Sequence, residues 1–162
     1  MAAGGWKRGL KVLLLVLIVA SLAWWFFHPR PSDRELILDL VAKAEHGVET
    51  KSAKEIMECI APDYEDEAGL TRLDILRLAW RWQRDPDEAE VVIEEYEIEV
   101  ISPAARGRFQ VEVMFEEDGG QAPPLRFDLA VRFEKQRRRL SRVWLVKSVS
   151  GHGIERRFED FL

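Results

Sequence analysis

The chain predicts an α+β domain, three N-terminal helices packed on a curved four-stranded antiparallel sheet, preceded by one transmembrane helix. An unbroken apolar run from Val12 to Phe27 opens the sequence. Apolar residues then recur at helical spacing as far as Trp82, the period of helices with one buried face. From Glu90 they alternate with charged residues, the period of strands with one face on a core and the other in water.

The apolar run, extended by Leu10, approaches the ~20 residues that cross a hydrocarbon core. Lys11 can snorkel, and Trp24 and Trp25 suit the interface, so these three are the expected membrane-anchor residues. Lys7, Arg8 and Lys11 precede the run without an acid, whereas Arg30 and Arg34 after it are balanced by Asp33 and Glu35. The positive-inside rule then puts the N-terminus in the cytoplasm and the folded part outside it, in the periplasm if the cell is bacterial. The expected segments are a cytoplasmic N-terminus (1–9), a signal-anchor (10–28), a linker (29–32), one domain (33–150) and a tail (151–162). A cleaved signal peptide is the alternative, with Ser21-Leu22-Ala23 at the cleavage site. It would leave a mature chain starting Trp-Trp-Phe-Phe, an exposed apolar end, which favours the uncleaved anchor.

Ser32 to Glu35 forms a capping box that starts the first helix, whose stripe is Leu36, Ile37, Leu40, Val41, Ala44 and Val48, with Gly47 near its end. A second box, Ser52 to Glu55, opens a short helix with Ile56, Met57 and Ile60, which Pro62 stops. Thr71 to Asp74 caps a third, in which Leu73, Leu76, Ala79, Trp80 and Trp82 are expected to face inward. Among the strands, Tyr96, Ile98 and Val100, then Phe109 to Phe115, then Leu125 to Phe133 supply the alternating apolar sets. Asp118-Gly119-Gly120 and the stretch from Lys135 to Arg139 read as hairpin turns, and a last strand covers Ser141 to Ser150.

Only four of the 24 basic residues and none of the 29 acids fall in the first 31 positions, so the remainder carries a net charge of −9. That balance excludes nucleic acid as an expected partner, because binding it relies on Lys and Arg neutralising phosphates. The cluster Arg137-Arg138-Arg139 with Arg142 reads as a solvated turn. Cys59 is the single cysteine and reads as a small core residue, so no intramolecular disulfide contributes. His28, His46 and His152 are too scattered to suggest a metal site, and nothing points to a cofactor.

Three helices, with Ala61-Pro62-Asp63-Tyr64 and Gly69-Leu70-Thr71-Arg72 between the second and third, then a meander ending in Val143-Trp144-Leu145-Val146, resemble the nuclear transport factor 2-like superfamily. This cone-shaped, cystatin-like fold includes SnoaL-like proteins and ketosteroid isomerases, and the resemblance spans residues 33 to 150. It implies helices closing over the concave face of a curved sheet, and it leaves function open because the superfamily hosts many activities. Its enzymes place a carboxylate base and hydroxyl donors on the concave face. The residues expected there include Tyr96, Phe109 and Phe127 but no acid, histidine or lysine on the first three strands. Lys147 faces the cone if Val143, Leu145 and Val149 do, and solvent if Trp144, Val146 and Ser148 face inward instead. Tyr64, at the mouth between the second and third helices, can gate a cavity or simply pack on Trp80.

The residues expected to line a ligand cavity are therefore Tyr64, Trp80, Tyr96, Phe109, Phe127 and Lys147, with no catalytic residue assigned. The expected role is a non-catalytic binding or scaffold module at the membrane, meeting a protein partner through the charged sheet face or the tail. The alternative is a carrier of, or degenerate SnoaL-like enzyme on, a small hydrophobic ligand in the cone.

Overall fold

The computed structural model of the chain describes residues 14–21, 24, 31–117, 120–121, 123–138 and 141–152. It divides into two units, Met1–Ser32 and Asp33–Leu162. In the first, residues 14–21 are helical, and Leu14 to Val19 each expose between 49% and 63% of their surface. Among the described residues no helix is long and apolar enough to cross a membrane. Lys11, Trp25 and much of the expected 10–28 span lie outside the described residues.

The second unit opens with α1 (Asp33–Glu49). Gly47 lies two residues before the end of this helix, as expected, and is buried. A Cβ there would stand 3.1 Å from the Ile56 nitrogen and 3.2 Å from Glu55 Cβ, so the glycine lets α2 (Ala53–Cys59) fold back along α1. Lys43 pairs with Glu58 across the same contact at 2.5 Å. The fully buried Cys59 directs its thiol toward the Glu55 carbonyl at 3.3 Å, and burial pushes that thiol's pKa up, away from the reactive thiolate.

Helix α3 (Arg72–Trp82) is capped by Thr71, whose amide and hydroxyl donate to Asp74 Oδ2 at 3.0 and 2.6 Å. Its inward face corrects the sequence expectation. Ile75 packs on the core and Ala79 is buried, and the Trp82 indole donates to the Val48 carbonyl at 2.7 Å and meets Phe115 edge-on at 6.1 Å. With 3.6 residues per turn, that face sends Leu73 and Trp80 to the opposite side, where they are 54% and 53% exposed.

The sheet runs β1 (Glu88–Ile101), β2 (Ala104–Glu117), β4 (Leu125–Arg138), β5 (Ser141–His152) in that spatial order, all antiparallel, with the two-residue β3 (Gly120–Gln121) beside β2. β1 and β2 are joined through Ser102-Pro103, whose peptide bond is cis. Residues 135 to 138 belong to β4, paired with β5 from Trp144 to Ser141, so the expected five-residue turn is shorter than its basic composition suggests. The last strand runs on through Gly151 and His152, two residues beyond its expected end at Ser150.

Two bulges set the side-chain phase. Between Ile93 and Glu95 the register of β1 shifts, with Ile93 opposite Val111 and Tyr96 opposite Phe109. Ala89, Val91 and Ile93 therefore share a face with Tyr96, Ile98 and Val100 despite the odd-to-even change. In β5, Arg132 opposes Ser148 but Phe133 opposes Val146, leaving Lys147 as the extra residue. The outer edge of β5 is covered by chain between α2 and α3: the Ala61 amide donates to the Val146 carbonyl at 2.9 Å and the Glu65 amide to the Lys147 carbonyl at 3.3 Å. β1 forms the open edge and carries Glu90, Glu94, Glu95, Glu97 and Glu99, charges that oppose pairing with a further strand.

The core joins both layers. Ile37 of α1, Tyr64 of the α2–α3 connection, Ala105 and Phe109 of β2, Phe133 of β4 and Trp144 and Val146 of β5 form one buried cluster. Phe109 and Phe133 meet edge-on at 6.2 Å.

Candidate functional site

Alternation along four paired strands brings Tyr96, Phe109, Leu129 and Gly151 into one row across the inner face. This row is the floor of an open cleft of about 940 Å³. Ile60, Tyr64, Leu70, Ile75 and Val149 form its walls, and Asp66, Glu67 and Ala68 its loop side. Gly151 ends the row without a side chain, and a Cβ there would collide with the Asp128 carbonyl. The neighbouring Glu95, Glu97, Arg108, Gln110 and Asp128 also border the cleft. Their positions in the strands point their side chains to the opposite sheet face, so they contribute main chain.

Tyr96 and Phe109 stack at 6.3 Å between ring centroids with planes inclined by 27°. Phe109 is buried whereas Tyr96 remains 44% exposed, so the stack runs from the core to the rim. Tyr64 is also buried, and its hydroxyl donates to Asp66 Oδ2 at 3.3 Å. Asp66 Oδ1 accepts from the Leu70 amide at 2.8 Å, which closes the 66–70 turn. Burial foremost, and then the adjacent Asp66 carboxylate, push the Tyr64 phenol well above its ordinary pKa. It is therefore a neutral hydrogen-bonding group, and the charged side chains that reach the cleft from the loop, Asp66 and Glu67, are both acids.

Of the six residues expected to line a cavity, the structure brings together Tyr64, Tyr96 and Phe109. Tyr64 does so from the core rather than packed on Trp80, which points away. Phe127 opposes Val111 farther along the inner face, half-buried and outside the cleft. Lys147 takes the outward orientation expected when Trp144 and Val146 face inward, and it ends on Asp63 rather than in open solvent. The bulge lets Trp144 and Val146 join the core cluster and Val149 pack against it, and the lysine between them reaches Asp63, donating to its carbonyl at 2.6 Å and its Oδ2 at 2.5 Å. Sequence reasoning missed Asp66, Leu70, Ile75 and Gly151. Asp66 and Leu70 carried a local signal, an Asp with Gly69 three residues on, typical of a side-chain-closed turn.

The opposite sheet face is charged as expected. Glu97 faces Arg108 and Glu99 faces Arg106, which in turn faces Arg132, and Glu112 accepts from Arg126 Nε at 2.9 Å.

No family model matches this chain, and no curated protein matches its sequence. Solved structures do match its architecture. Aln2 from a Streptomyces species superposes with a TM-score of 0.64 at 12% identity, over 82% of this chain and 98% of that one. An NTF2-like protein from Cytophaga hutchinsonii gives 0.60 at 15%, over 75% and 98%. A protein of unknown function with a cystatin-like fold from Nostoc punctiforme gives 0.57 at 12%, over 76% and 93%. At such identities the likeness is one of fold, and together with the antiparallel sheet, the helices packed on it and the inner cleft it establishes that this chain carries the nuclear transport factor 2-like, cystatin-like α+β fold.

Proposed function

We propose that the protein is a membrane-tethered cone domain that binds a small, largely apolar, uncharged or cationic molecule in its cleft without transforming it. The observation that carries this reading is the cleft itself: an apolar floor and walls, a neutral phenol, and acids as the charged side chains at the loop. Concave apolar sites with a few placed polar groups are the usual form of small-molecule sites. The pair formed by Tyr64 and Asp66 supplies a donor and an acceptor, and burial keeps the phenol neutral. The apolar run before Ser32 supports the tether.

The test is probe fluorescence on the full-length chain in a mild detergent. N-phenyl-1-naphthylamine, uncharged, is expected to bind roughly tenfold more tightly than 1-anilinonaphthalene-8-sulfonate, whose sulfonate meets like charges at the loop. Ala68→Trp, on an exposed position of the rim, is expected to abolish the protein-specific signal. Equal signals from Ala68→Trp and the unaltered chain would discard the cleft as the site. A second reading, a scaffold met by a protein partner, is favoured by the exposed cross-strand pairs of Glu97 with Arg108 and Glu99 with Arg106.

A further inference from the structure

Helix α3 presents two chemistries on opposite sides. Ile75, Ala79 and Trp82 turn to the protein, while Leu73 and Trp80, one position apart on the helical wheel, are each more than half exposed. Leu76 extends the same stripe half-buried, and Arg77 and Arg81 flank it, both exposed, with Arg84 just beyond the helix end. Residues 71–84 hold four arginines against one aspartate, Asp74, which pairs with Arg77 at 3.0 Å. They form a basic island in a region whose net charge after residue 31 is −9. Arg72 does not belong to the exposed set, because its guanidinium donates to the Met57 carbonyl at 3.2 Å. An exposed Trp and Leu stripe edged by arginine is the composition of helices that lie in a membrane interface, the ring at headgroup level and the guanidinium groups on anionic lipid.

We propose that this outer face of α3 docks on an anionic lipid surface, laying the domain against the membrane that anchors it. The inference rests on the tethered reading above. Only residues 29–32 separate the expected span from Asp33, a reach of about 14 Å fully extended. The domain is thereby confined to the bilayer's neighbourhood, where a weak interfacial contact is effectively intramolecular. Leu70, which lines the cleft, stands three residues before Leu73, so docking places one rim of the cleft beside lipid.

The experiment uses the full-length chain reconstituted in vesicles of phosphatidylcholine, alone or mixed with phosphatidylglycerol. A nitrobenzoxadiazole probe is attached at Trp80→Cys, and for comparison at Gln110→Cys on the exposed charged sheet face. Cys59 is fully buried, and labelling of the unaltered chain checks that it stays unmodified. The residue-80 probe is expected to shift to the blue and to be quenched by headgroup-region nitroxide lipids in the anionic vesicles, while the residue-110 probe stays water-like. Arg81→Gln with Arg84→Gln is expected to lower the docked-to-undocked ratio about 25-fold, roughly fivefold per arginine. Carbonate extraction of the same vesicles reports the anchor separately. A chain stripped by carbonate overturns the tether and this proposal with it. A resistant chain whose residue-80 probe stays as wet as the one at 110 overturns the docking alone. Quenching that follows protein-to-lipid ratio rather than lipid charge assigns the face to a second copy and overturns lipid docking as well.

Discussion

Gly107 shows how a single residue shapes the cleft. It lies in β2 opposite Ile98 and Val131, and the Phe109 ring occupies the space its side chain would need. A Cβ there would overlap that ring and come within 3.1 Å of Phe133. Glycine in a strand interior weakens it, yet here it marks a close approach that aromatic packing covers. Gly107→Ala must push Phe109 toward the cleft floor or displace Phe133, which is fully buried. The expected cost is about 1–3 kcal/mol, the range for overpacking a filled core, read as a lower urea midpoint. Because Phe109 is part of the floor, naphthylamine binding should weaken with it. A variant with unaltered stability and binding would contradict the packing described for this row.

At the scale of elements, the helical layer is fastened to the β4–β5 hairpin by two aspartates. Asp33, first residue of α1, accepts from Lys135 Nζ at 2.5 Å and from the Trp144 indole at 3.1 Å. Asp63, after α2, accepts from Lys147 and from the Gln136 amide at 2.9 Å. These hydrogen bonds, the lysine's first in each case, hold both carboxyls below their ordinary value of 3.8. The unfolded chain then takes up protons before the folded one as pH falls below about 4, so the contribution of both latches is present above that pH and lost as pH drops through the folded values. Urea midpoints measured from ~pH 6 to ~pH 2 should therefore fall on acidification, and Asp33→Asn with Asp63→Asn should flatten the slope. An unchanged slope in the double variant would mean the latches do not couple to folding. The Lys147 bulge serves this arrangement, since it turns the lysine out of the strand's alternation toward Asp63 while Val149 returns to the inner face.

For the whole molecule, the tether predicts an undivided chain. Native mass spectrometry of protein extracted from its own membrane should find the full 18.8 kDa polypeptide, and a shorter species beginning at Trp24 would replace the anchor with a signal peptide. The same spectrum separates the two functional readings. A bound species of a few hundred daltons, of the size small-molecule sites accept, supports the cleft. A second polypeptide stripped off at high salt supports a partner on the charged face, where exposed pairs are screened.

Much of the architecture followed from periodicity alone. The caps at Ser52 and Thr71, the three helices of the folded unit, the switch from period 3.6 to period 2 and the antiparallel meander each depend on near neighbours in sequence. So does the split between an apolar and a charged sheet face, because side chains alternate strictly wherever the strand is regular. Trp80 and Phe127 fall outside the cleft, and the orientation of Lys147 stayed open in the sequence, for reasons that are not local. On α3 nearly every apolar residue fits one stripe or another, and the stripe is chosen by the Trp82 bond to Val48 and by its contact with Phe115. In β5 a bulge, visible only in the pairing with β4, reverses the phase that decides where Lys147 points. The cleft is likewise a tertiary object: Tyr96, Phe109, Leu129 and Gly151 meet through strand register, and Tyr64 and Ile75 reach them only after the helical layer folds over. Local periodicity determined which residues avoid water; long-range pairing determined which of them stand next to one another, and a binding site is made of the latter.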